Sequence, residues 1–310
     1  MFGSLFGKKK RAPQLKAKKL STATAESILS VVGSRSIPLM PGAAQKAFQL
    51  STDPKAEARD FVEVIESDEG LAARIIKIAN SVFFERGTQA KTIDQAVTVI
   101  GINELRSLLS ATTLSEIFPS NHPLRAQFWA NDVAVGLIAR RIAERSLPAK
   151  KEVAFLAGLM HDVGKLLLIQ RATEQYGKAI ALVEQEGRPF HEAEGELFAF
   201  DHTEVGQLIG ERWNFTPDLI DVIRHHHEPI GDATAGELTL PQVIQLADLL
   251  AHALGLGHTP KFTRLKNKSL EQVDQILLLL GIPPTEKKSF LSSLQQTFDS
   301  EFDLYKGKGA

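Results

Sequence analysis

From Ser21 onward, apolar residues recur at spacings of three and four in nearly every segment, and runs that alternate apolar with polar residues are scarce. Residues three and four apart share a face of an α-helix, whereas residues two apart share a face of a strand. The chain is therefore expected to be all-α, a multi-helix fold. With 310 residues, 43% of them hydrophobic, it has the material for a sizeable core. No apolar run approaches the ~20 residues of a membrane-spanning helix; the longest, around Leu277 to Leu280, is closed by Gly281 and Pro283.

Glycine, proline and capping residues divide the pattern. An N-terminal helical subdomain is expected over 21–121, with helices at 22–32, 42–50, 56–66, 68–84, 92–101 and 103–118. Thr92 and Gln95 form a capping box, and Pro38 and Pro41 hold 37–41 extended across the helices. The break at Pro119 to Pro123 opens a second subdomain, 122–258, with helices at 124–145, 151–160, 164–186, 189–196, 202–213, 217–227 and 241–254. Within 259–310, a basic connector at 259–268 leads to two amphipathic helices, 269–280 and 285–302.

Residues 1–20 carry seven Lys or Arg and no acid, which leaves 29 Lys or Arg against 37 Asp or Glu, a net charge of −8, in the rest. That basic tail reads as disordered. Phe2, Leu5 and Phe6 beside the charge run suit an anionic membrane surface, while the acidic body repels nucleic acid. Apolar residues precede the cationic run, the reverse of a secretory signal, so the expected location is cytoplasmic, peripheral at the inner membrane where the tail meets lipid.

The chain has no cysteine, so a metal site must use His, Asp and Glu. Six of the nine histidines fall between 161 and 227. His161-Asp162 closes an apolar helix just before Gly164, and a helix broken there lets two adjacent side chains reach one ion. Lys165, three residues on, can offer a cation to a phosphate oxygen. His202 is expected to open a helix and His225-His226-His227 to close the next. Asp248 lies inside an apolar helix, where an unpaired carboxylate is costly. Such a set suits Fe, Mn, Zn or a similar divalent ion able to activate water against a phosphate ester. The same residues can instead make ordinary hydrogen bonds, helix caps and interhelical pins, and on the residues alone both readings stand. Asn80-Ser81 reads as a helix cap or a binding pair, and Trp129 and Trp213 as core or as a ligand bracket.

The fragment Leu159-Met160-His161-Asp162-Val163-Gly164-Lys165 resembles the signature of the HD superfamily of metal-dependent phosphohydrolases. With Pro38 and Pro41, Ile75 to Ser81, Gly101 to Arg106, Asp201-His202, Trp213 and His226-His227-Glu228-Pro229, the chain from about Val32 to Leu254 resembles the HDOD family. That resemblance implies a non-catalytic regulatory module of bacterial signal transduction, working by association with signalling proteins and tuned by a cyclic nucleotide or a metal. The alternative it implies is a metal-dependent phosphohydrolase acting on cyclic dinucleotides or phosphate esters. Carried over from the related HD-GYP phosphodiesterases, the metal ligands fall on His161, Asp162, His202, His226, His227 and Asp248, with Lys165 facing phosphate and Fe, Mn, Zn or Mg as the ion. Asn131 stands where those relatives carry their first ligating histidine, Gln127 stands where they carry a glutamate, and no Gly-Tyr-Pro follows His227. A weakly held ion and no catalysis are the expectation.

Overall fold

In the computed structural model, residues 18–35, 37–40, 42–53, 55–84, 89–230, 238–257 and 260–306 are described. They form sixteen α-helices and four short 3-10 turns, with no strand among the described residues. The first six helices are α1 (Thr22–Val32), α2 (Gly42–Thr52), α3 (Ala58–Glu66), α4 (Glu69–Ala79), α5 (Ile93–Ile100) and α6 (Ile102–Ile117). The next are α7 (Arg125–Ser146), α8 (Lys151–Met160), α9 (Val163–Arg171), α10 (Thr173–Glu186), α11 (Phe190–Leu197) and α12 (His202–Arg212). The chain ends with α13 (Pro217–His225), α14 (Leu240–Leu254), α15 (Thr263–Leu279) and α16 (Lys287–Tyr305).

Local chemistry sets many of these boundaries. Ser21, Asp68, Thr92 and Asp201 each accept a backbone N–H in the first turn of the helix that follows. Two buried arginines close helix ends from a distance. Arg106 donates to the carbonyls of Leu50, in the last turn of α2, and of Asp53 and Ala56 beyond it, and Arg125 donates to those of Ser115 and Phe118 at the end of α6.

The helix expected over 164–186 is two helices, α9 and α10. Buried Ala172 leaves helical geometry, and Thr173 Oγ1 donates back to Ile169 O. The expected 259–268 connector is largely helical. Phe262, Leu265, Ser269, Val273 and Ile276 form one buried stripe, so the basic residues between them lie on the other faces of α15. The span 68–84 stops at Ala79, where Asn80 exchanges two hydrogen bonds with Ala90 and thereby acts as a clamp on the next loop. Trp129 and Trp213 are core: they are buried and donate to Tyr305 O and Pro38 O, and Trp213 stacks on Phe118. Most of the basic tail lies outside the described residues. Its last residues, Lys18 to Leu20, run along α12, hydrogen-bonded to Gln207 and Glu211.

The middle of the fold is α8. It packs against α6, α7, α13 and α14, and every residue from Ala154 to Met160 is buried, as expected of a helix that is apolar all round. Two glycines bring α7 and α8 together, since a Cβ on Gly158 would lie 2.6 Å from the Cα of Gly136. Further along, α9 packs on α12 through Gly164. Contrary to the break expected at Gly164, this glycine does not interrupt a helix. The break falls at His161 and Asp162, and Gly164 lies inside α9, where a Cβ would sit 2.0 Å from His202 O. Two long-range ties complete the packing. The N-terminal α1 packs on α9 and α12, and α16 returns to α6 and α7, where Arg140 bridges Glu104 at 3.1 Å and Glu301 at 2.6 Å. No helix among the described residues is long and apolar enough to cross a membrane.

A pair of substitutions tests the glycine contact. Gly164→Ala should destabilise by about 1–3 kcal/mol through overpacking. Gly177→Ala, at a helical glycine with open space around its Cα, should stabilise by up to ~1 kcal/mol. Urea unfolding monitored by circular dichroism reads both; a stable Gly164→Ala protein would show that α9 and α12 can part without cost.

Candidate metal centre

Four helix ends and one helix interior meet beside α8. His161 and Asp162 occupy the break between α8 and α9, His202 is the first residue of α12, His226 and His227 follow the end of α13, and Asp248 projects from the middle of α14. His161, His202 and His226 have no exposed surface, Asp162 and Asp248 are 3% and 4% exposed, and His227 is half-buried. Asp162 is the hub. Its Oδ1 lies 3.1 Å from His202 Nε2 and 3.5 Å from His226 Nε2, and its Oδ2 lies 3.3 Å from His161 Nε2. His161 Nε2 is in turn 3.6 Å from Asp248 Oδ1, and His202 Nε2 is 3.0 Å from His227 Nε2. All six residues named from the sequence thus form one contiguous cluster.

Lys165 does not face outward toward a phosphate. It is buried, its Nζ donates to Asp162 Oδ2 at 2.5 Å, and it lies 4.5 Å from the centre of the Phe190 ring. Asn131 is buried on α7, and its Nδ2 reaches Leu256 O at 3.4 Å. Gln127 holds its Oε1 buried without a hydrogen bond.

Residues outside the expected set complete the surroundings. Glu194 on α11, with no exposed surface, accepts from Tyr176 Oη at 2.7 Å and from both the backbone N and Nδ1 of His202, the latter at 2.6 Å. A carboxylate on Nδ1 turns Nε2 of that ring toward the cluster, the arrangement that orients metal-bound imidazoles. His252 Nε2 lies 3.2 Å from Asp248 Oδ1, one helical turn back. His191 stacks on His227 with ring centres 4.2 Å apart. Asp132, next to Asn131 on α7, lies 3.9 Å from His161 Nδ1. Periodicity carried a signal for two of these. Glu194 is four residues from Phe190 and Asp132 four from Phe128, which puts each acid on an otherwise apolar stripe.

Charge divides unequally over the cluster. Burial opposes ionisation of Asp162, but His161, Lys165 and His202 outweigh it and hold the carboxyl well below the usual range. Burial likewise opposes ionisation of Asp248, but the nearby His252 and His161 outweigh it and hold this carboxyl well below the usual range. Burial also disfavours the His202 cation, yet Glu194 and Asp162 push its pKa up to about 9. Burial pushes His226 down to about 4 and His227 well below its ordinary value. Asp132 is raised well above the usual carboxylate range, burial being the dominant cause.

The donor set fits a divalent ion. His161 Nε2, Asp162 Oδ1, His226 Nε2 and Asp248 Oδ1 are buried and meet only imidazoles and carboxylates of the cluster, 3.1–3.6 Å away and without the alignment of a hydrogen bond. Asp162, His202, His226 and His227 each bring a ligand atom within 4.8 Å of the others. Neutral imidazoles with ionised carboxylates are the ligands preferred by Zn, Fe and Mn.

Protons compete with such an ion. His202 carries a proton at neutral pH, and an ion binding at Nε2 must displace it, so Mn affinity should rise by up to about tenfold per pH unit between pH 7 and 9. The metal-free protein should move the other way. A raised folded-state pKa contributes stability in full below the unfolded value of about 6.5 and loses it as the pH climbs through about 9. Calorimetric titration and melting curves at pH 7.0 and 9.0 check both signs; a pH-independent Mn affinity would remove His202 from the ligand set.

Comparison with known proteins identifies the fold and the family. The HDOD domain family model matches residues 37–229. An uncharacterized protein of Treponema pallidum (strain Nichols) is 24% identical over 271 residues, 86% of this chain and 50% of that protein, so the chain spans about half the length of the curated relative it matches. An HDOD domain protein of unknown function from Geobacter sulfurreducens has the same fold, with a TM-score of 0.65 at 22% identity over 88% of this chain and 97% of that one. A candidate phosphohydrolase of Shewanella amazonensis aligns with a TM-score of 0.67 at 23% identity, covering 92% and 98% of the two chains. For a candidate signal transduction protein of Marinobacter aquaeolei the score is 0.71 at 19% identity, covering 91% of this chain and 65% of that one. With a family domain spanning well over half its length, and with the motifs read from Pro38 to Pro229 inside that span, the chain belongs to the HDOD family.

Proposed function

We propose that this protein is a non-catalytic module of bacterial signal transduction that acts through association with other signalling proteins, and that its HD-type centre holds a divalent ion in a structural capacity. His161, Asp162, His202, His226, His227 and Asp248 would hold that ion. Bound there, it would place a positive charge among the unsatisfied atoms of His161, Asp162, His226 and Asp248. The observation that carries the reading is burial: five of the six residues are at most 4% exposed, which favours an ion enclosed by helices over one open to a phosphate ester. Lys165 supports it from inside, because the cation that a substrate phosphate would need is spent on Asp162.

Partner binding then falls to the outer helices. Leu39 and Val82 are 92% and 89% exposed and Phe83 is 47% exposed, large apolar side chains set in water on the N-terminal half. Exposed apolar groups of this kind anchor protein interfaces when a partner covers them.

The second reading, a phosphohydrolase, draws on the Glu194–His202 pair and on the unsatisfied ligand atoms, which would equally serve a catalytic ion. One set of measurements separates the two. Protein loaded with Mn, Fe, Mg or Zn should turn over neither cyclic dinucleotides nor simple phosphate esters. Leu39→Asp with Val82→Asp should abolish capture of the native partner and leave metal content unchanged. Hydrolysis that disappears in Asp162→Ala would replace the association reading with the enzymatic one.

A further inference from the structure

The end of α15 carries an apolar knob and an apolar hole side by side. Leu270, Asp274 and Leu278 follow one another at four-residue steps, on a side of the helix turned away from its buried stripe of Leu265, Val273 and Ile276. Leu278 is 75% exposed and Leu270 is 46% exposed, so this side of α15 sets two large apolar chains in water. Beside Leu278, where the end of α15 meets the last turn of α7 and the start of α16, lies an open cavity of about 160 Å³. Among the described residues its lining is apolar, with Ile142, Leu238, Leu280, Ile282 and Phe290, apart from Ser146 and the exposed guanidinium side chain of Arg145. An apolar space of roughly 150 Å³ accepts a group the size of benzene, so this one accepts a leucine side chain.

A surface with a knob next to a matching hole is complementary to itself. A two-fold axis between the two seats the knob of each copy in the hole of the other, and both contacts form at once. Charge favours the same pairing. Asp274 lies one turn before Leu278, and its side chain is 81% exposed even with Lys287 Nζ on its Oδ1 at 2.7 Å. When Leu278 enters the cavity of the other copy, Asp274 is carried toward the Arg145 that lines it, and the two-fold makes that acid–arginine contact twice. Leu270, two turns back, extends the apolar contact along α15.

We propose that the Leu278 knob and the cavity between α7, α15 and α16 form the interface at which two copies of this chain pair. The pairing surface lies on other elements than those that carry Leu39 and Val82, and it needs no ion in the HD-type centre.

Sedimentation velocity of the full-length protein, from about 1 µM to about 1 mM, reads the pairing. The contact is small, so the dimer should appear in the upper part of that range. Leu278→Asp, at a position already in water, should raise the dissociation constant of the dimer at least about tenfold and leave the melting temperature nearly unchanged. Arg145→Glu should weaken the dimer as well. Adding Asp274→Arg to it should bring the dimer back, a rescue that unspecific apolar association does not give. A monomer at every concentration would overturn the proposal and leave the cavity to a different protein. A dimer that survives Leu278→Asp, or one that the charge exchange fails to restore, would place the pairing surface elsewhere.

Discussion

A carboxylate moved from water to a protein interior loses several kcal/mol of hydration, and only nearby cations and donors can return it. Asp162 is such a group, and the surrounding helices are arranged to answer it. Lys165 comes from the same segment one turn later, His202 from the start of α12, and His226 from the end of α13. Each of these three must sit within a few tenths of an ångström of its place, so the carboxylate fixes where α9, α12 and α13 meet. Gly164 is one consequence: α9 can bring Asp162 and Lys165 to His202 only if its backbone touches that of α12. Glu194 is another, since His202 carries its positive charge through a second buried acid at its back.

Much of this was legible in the sequence, for reasons that differ by element. The all-α class followed from period alone, and Thr92 with Gln95 marked a helix start because a capping side chain does a job no other position asks of it. Boundaries set by tertiary contacts were not legible. The division between α9 and α10 at Ala172 has no glycine or proline to announce it, and α15 begins inside a basic stretch because Phe262 and Leu265 find a core to enter. Within the site, His161, Asp162, His202, His226, His227 and Asp248 were named because their types and order resemble a known pattern, and the fold brings them together. Asp132, Glu194 and His252 lie outside that pattern. Their importance comes from burial and direction, which a linear chain does not display. Lys165 was named with the wrong orientation, since sequence distance gives its reach but not which carboxylate claims it.

On the association reading proposed above, the same cluster would have a use that needs no substrate. An ion inside the cluster would be touched by residues of α8, α12, α13 and α14, so it would act as a crosslink among helices that are otherwise held by apolar packing. Removing such an ion costs stability in proportion to how much better it binds the folded than the unfolded chain. A regulatory module can use that linkage without exposing the ion to any substrate.

The return of α16 to the middle of the fold bears on how the chain reaches this structure during synthesis. Trp129 on α7 finds its hydrogen-bond acceptor at Tyr305, 176 residues further along. At about 5–20 residues per second, the ribosome would need roughly 8–30 s after finishing α7 to supply that partner. Over that interval the face of α7 that later receives α16, with Trp129 on it, has no native cover. The acidic interior is delayed too, since Asp248 emerges long after His161. Until α16 has been made, that face of α7 must be covered by something other than its native partner or stay in water.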